Sequence, residues 1–110
     1  MEDNYNKSIK QTDSEFINWC QTKAISIFRI EHVITWEDWD DGIGVYIFTK
    51  TNEEINDLTE SDIENLKTEY LNALKRNNYP FDKFPNVKFQ FDSDQNVKEN
   101  FAGNYFFRLR

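Results

Sequence analysis

Glycine, proline, cysteine and histidine are all scarce in this chain of 110 residues, which holds three Gly, two Pro, one Cys and one His. So few glycines leave no Gly-rich phosphate loop, and no G-x-S-x-G nucleophile elbow occurs. The single Cys20 excludes an internal disulfide, and with His32 alone beside it there is no Cys/His spacing for zinc, as expected of a reducing compartment. No run approaches the roughly 20 apolar residues of a membrane span, and the opening MEDNYNKSIK lacks the basic-then-apolar order of a secretion signal. A cytoplasmic protein with no membrane partner is therefore expected. Positive charge is short as well: 13 Lys and Arg stand against 20 Asp and Glu, for a net charge of −7. No basic patch with interleaved aromatics is present, which argues against a nucleic-acid partner.

What the chain has instead is aromatic bulk. Ten Phe, five Tyr and three Trp make a core attainable even though 30% of residues are charged. The length suits one domain. Residues 1–12 show no apolar period and read as a flexible leader, leaving 13–110 as a single domain.

Thr12 and Glu15 have capping-box spacing, and Phe16, Trp19, Cys20 and Ala24 follow at helical intervals, so a first helix is expected from about Asp13. From Phe28 the pattern alternates through Ile30, His32, Ile34 and Trp36, as a half-buried strand requires. A charged Asp-Gly turn follows, then a returning strand over Gly44–Thr51. Thr59 and Asp62 open a second helix whose stripe is Ile63, Leu66, Tyr70, Leu71 and Leu74, with Lys75, Arg76 and Pro80 marking its end. Val87, Phe89 and Phe91 alternate as a third strand. Val97 and Phe101 suit a helical turn or two, and 105–110 read as a terminal strand. The expected fold is α+β in the order α-β-β-α-β-β, an antiparallel sheet of about four strands with two main helices on one face.

Charge is distributed unevenly along this frame. Residues 31–69 hold twelve acids against Lys50 and Lys67, whereas residues 1–30 balance and 70–110 are slightly basic. A concentrated negative field attracts cationic proteins and raises association rates. Its densest stretch is Trp36-Glu37-Asp38-Trp39-Asp40-Asp41-Gly42. Trp36 continues the apolar strand face, but Trp39 lies among acids in a turn and has the setting either of an interface anchor with a charged rim or of a lid folded back over the sheet edge. Glu53, Glu54 and Asp57 extend the acidic stretch. The expected partner-binding set is thus Glu37, Asp38, Trp39, Asp40, Asp41, Glu53, Glu54 and Asp57.

His32 shares a strand face with Ile30, which assigns it to a hydrogen-bonded core position, and Cys20 falls on an apolar helix stripe as a small hydrophobe. Neither has a marked catalytic neighbour. Asp38, Asp40, Asp41 and Gly42 fall one residue short of a calcium loop and lack its closing Glu, while Asp92, Asp94 and Asn96 lack its glycine. No metal, cofactor or catalytic residue is assigned.

The run Phe91-Asp92-Ser93-Asp94-Gln95-Asn96-Val97-Lys98-Glu99-Asn100-Phe101, continued by Gly103-Asn104-Tyr105-Phe106-Phe107-Arg108-Leu109, resembles small immunity proteins encoded beside bacterial polymorphic toxins, including those of contact-dependent growth inhibition. The resemblance covers about a fifth of the chain. It implies a cytosolic, stoichiometric inhibitor that sits on a toxin domain, commonly a cationic nuclease, and transfers no catalytic residue. Alternatives from other classes are a small metal-dependent hydrolase or nuclease with clustered carboxylates, and a dimeric structural or regulatory domain. The chain itself is expected to be a monomer or a weak homodimer.

Overall fold

Apolar residues at Ile9, Phe16 and Cys20, with Thr12 between them, recur at helical spacing and are buried along one side of α1, Asn4–Thr22. A computed structural model describes residues 4–34, 42–82 and 85–109. After α1 come β1 (Arg29–Ile34), β2 (Gly42–Thr49), α2 (Asn52–Asn56), α3 (Glu60–Arg76), β3 (Asn86–Ser93), α4 (Asp94–Asn100) and α5 (Tyr105–Arg108). No helix among the described residues is long and apolar enough to cross a membrane.

The expected antiparallel four-stranded sheet is corrected to a three-stranded mixed sheet in the order β1-β2-β3. β1 and β2 pair antiparallel, as the hairpin pattern predicts, with Ile30 opposite Ile47 and His32 opposite Val45. β3 runs parallel to β2, with Val45 opposite Phe89 and Ile47 opposite Phe91. The reason is the length of the crossover. At about 1.5 Å per helical and 3.3 Å per strand residue, α3 and β2 both run about 25 Å, so α3 returns the chain to the end of the sheet where β2 began.

The expected terminal strand at 105–110 is corrected too. Asn104 caps a short helix there, its side chain accepting from the Phe107 N–H, and Gly103 supplies the positive φ of 72° that turns the chain into it. The expected leader also fails over its described part. Residues 4–12 are helical, Ser8, Ile9 and Thr12 are buried, and Thr12 accepts from the Asn77 amide (3.2 Å) instead of capping a helix. Apolar periodicity is sparse there because hydrogen bonds to the end of α3 do part of the docking: the Ser8 hydroxyl donates to the Asn77 carbonyl at 2.6 Å.

One sheet face carries Ile30, His32, Ile43, Val45, Ile47, Val87, Phe89 and Phe91, and α1 and α3 cover it with Phe16, Cys20, Leu66, Tyr70 and Leu74. The Phe16 and Phe89 rings both meet Tyr70 edge-on. The opposite face is closed by the C-terminal helices. Val97 and Phe48 are fully buried there, and Tyr105 packs edge-on to Phe48 at 4.9 Å. Arg108 bonds Asp92 at 2.5 Å and lies over the Tyr46 and Phe101 rings. Tyr46 in turn shields Gly44, where an added Cβ would sit 3.3 Å from its ring.

Candidate functional site

Thr51 and Glu54 form a capping box that the sequence carries openly, three residues apart at the start of α2. It nucleates α2. Glu54 Oε1 accepts from the backbone N–H groups of Lys50 (3.0 Å) and Thr51 (3.1 Å), so this acid is committed to the chain turn. Glu53 and Asp57 remain exposed, Asp57 as the last residue of the helix cap. A second capping box, Thr59 with Asp62, then starts α3, and Glu60 and Glu64 project into solvent from its first turns.

The result is a ridge over residues 51–64 with six carboxylates and no base. Two of the six, Glu54 and Asp62, serve the caps. Glu64 approaches Lys67 at 3.8 Å across an exposed helical turn, a pair of small energetic weight. Glu53, Asp57 and Glu60 have no ion-pair partner among the described residues. Acids near the starts of α2 and α3 are favoured by the helix dipoles, which accounts for Glu53 and Glu60 locally. Asp57 closes a helix instead of opening one. It lines an open groove of about 280 Å³ together with Leu58, Thr49 and the Ala24–Ser26 turn, into which Glu54 and Asp62 also face. Of the expected partner-binding set, Glu54 and Asp57 line one groove, with Glu54 turned to the backbone, and Glu53 is exposed on the same short helix; Glu37, Asp38, Trp39, Asp40 and Asp41 lie outside the described residues.

The other titratable groups are occupied by the fold. The Tyr70 hydroxyl donates to Asp13 Oδ1 at 2.5 Å and lies 3.0 Å from His32 Nε2, which itself stands 3.4 Å from Asp13. Since the phenol proton goes to the carboxylate, the imidazole supplies its Nε2–H to the phenol oxygen. Burial first, and the neighbouring Asp13 carboxylate second, push the Tyr70 phenol above its ordinary range, so it keeps its proton. Burial likewise pushes the Cys20 thiol up to about 12. Neither is primed as a base or nucleophile at neutral pH.

Asp92 and Asp94, two carboxylates that partly match a calcium loop, hold the C-terminal helices. Burial works against the charged form of Asp92, yet bonds from the Arg108 guanidinium, the Ser93 N–H and the Asn96 amide hold it below the usual carboxylate range. Asp94 is held low by the Tyr105 hydroxyl, 2.5 Å away, and by Lys98 at 3.1 Å. Among the described residues no three His, Cys, Asp or Glu side chains are grouped so as to hold a metal ion. Comparison with protein-family models, curated proteins and solved structures found no match to this chain.

Proposed function

We propose that this chain is an immunity-type binding protein that neutralises a cationic toxin domain in the cytoplasm by sitting on it in stoichiometric complex, without catalysis. The observation that carries the reading is the uncompensated ridge of α2 and the start of α3. Glu53, Asp57 and Glu60 stand in solvent on adjacent turns, and no cation among the described residues pairs with them. Ridge charges of this kind act mainly on association, whereas a desolvated apolar anchor sets the lifetime of a complex. Trp39, flanked in sequence by Glu37, Asp38, Asp40 and Asp41, is the anchor this reading requires.

The test uses the C-terminal domain of a secreted toxin encoded in the adjoining reading frame. Titration calorimetry is expected to give a 1:1 complex. In stopped-flow mixing, Glu53→Lys with Asp57→Lys should slow association about tenfold at low salt and flatten its salt dependence. Trp39→Ala should instead speed dissociation. Rates untouched by the ridge reversals would remove the ridge from the interface, and absence of any complex would remove the immunity reading.

A further inference from the structure

The two edges of the sheet are built differently. β3 presents Asn86, Lys88 and Gln90 to solvent and follows Pro85, the residues that blunt an edge against pairing. β1, Arg29–Ile34, lacks Lys and Pro; among the described residues it pairs with β2 on one side and no strand lies on the other, and its two charges are one Arg and one Glu. None of its side chains described is fully buried, and Phe28, which leads into it, is 48% exposed. In a chain of net charge −7 this strand is locally neutral, because Arg29 and Glu31 cancel.

We infer that the free edge of β1 pairs antiparallel with the same edge of a second copy, centred on Ile30, to give a continuous six-stranded sheet. The register follows from charge and face. A two-fold pairing that keeps both α1/α3 layers on one side of the sheet must place a residue opposite its own copy. Centring on Glu31 or on Arg29 sets like charges directly opposite each other, which is destabilising. Centring on Ile30 places Arg29 opposite Glu31 of the second copy, twice over, with Phe28 opposite His32. Arg29 is already oriented for this: its Nε bonds Glu31 of its own chain at 2.5 Å and its guanidinium stacks 3.9 Å over Tyr105, leaving both Nη groups unused among the described residues. The joined charges then alternate around a square. This inference does not rest on the toxin-binding reading, which concerns α2 and α3.

Sedimentation of the full chain across the micromolar range should show a reversible monomer–dimer equilibrium, and concentration should protect β1 amides from hydrogen exchange while leaving β3 unchanged. Arg29→Glu and Glu31→Arg should each weaken the dimer about tenfold or more, and the double swap should restore it. Glu31→Arg leaves the Arg29–Tyr105 stack in place, and thermal melts of each variant separate lost pairing from lost folding. A chain that stays monomeric throughout, a dimer indifferent to both reversals, or β1 protection that appears only on adding a basic protein would each overturn the inference. The exchange measurement on the unmodified chain decides the matter even where a variant fails to fold.

Discussion

Tyr70 holds two other polar side chains in place from the middle of the main core. Its ring is fully buried between Phe16 and Phe89 while its hydroxyl reaches Asp13 and His32, so one side chain joins α3 to both α1 and β1. Tyr70→Phe keeps the ring packing but strands a half-buried carboxylate and imidazole, and should cost about 1–3 kcal/mol. Urea unfolding would register this as a lower midpoint at unchanged slope; an unchanged midpoint would mean that water replaces the hydroxyl without loss. The place of His32 on the core face was legible from strand alternation. Its partners were not, because Asp13 and Tyr70 lie 19 and 38 positions away and nothing local links them. The same holds for Asp92, whose spacing matches only the first positions of a calcium loop while its partner Arg108 lies on a helix that β-propensity alone misassigns.

At the scale of elements, hydrogen-bonded caps decide more than propensity. Thr51→Ala removes the side-chain acceptor at the start of α2 and should lower stability by about 1 kcal/mol, with the loss concentrated in faster amide exchange over residues 52–57. The C-terminal helices offer a pH test. Asp92 and Asp94 ionise more readily folded than unfolded, so their contribution is complete above the ordinary carboxylate pKa of about 3.9 and disappears as pH falls through their lower folded values. Acid titration below about pH 4 should therefore loosen α4 and α5 from the sheet, seen as a change in tyrosine near-UV dichroism that Asp92→Asn shifts to higher pH. α3 was fully readable, since its cap, stripe and stop agree. α5 was not: Tyr-Phe-Phe-Arg-Leu has strand composition, and only Gly103 and Asn104 before it announce a helix. Tertiary demand settles the choice, because the i, i+3 pair Tyr105 and Arg108 reaches Phe48 and Tyr46 on a face that would otherwise stand open.

For the whole molecule, the acidic ridge and the sheet are separable. Reversing Glu53 and Asp57 to lysine alters exposed side chains that make no ion pair in the described chain, so the folding free energy should stay within about 0.5 kcal/mol even as binding to a basic partner falls. Equal losses of both would tie the ridge to stability instead. The alternation in three segments made the sheet legible, but strand direction was not: antiparallel and parallel returns share one hydrophobic pattern, and only the matched spans of α3 and β2 distinguish them. That crossover also bears on biosynthesis. β2 is the central and most apolar strand, yet 36 residues, including the whole of α2 and α3, separate it from its parallel neighbour. At ribosomal speeds of about 5–20 residues per second, Gly42–Thr49 waits about 2–7 s with one flank bare. Yield from rapid overexpression should accordingly be limited by nascent chains associating through this segment, and slower translation should recover material that faster translation loses to inclusion bodies.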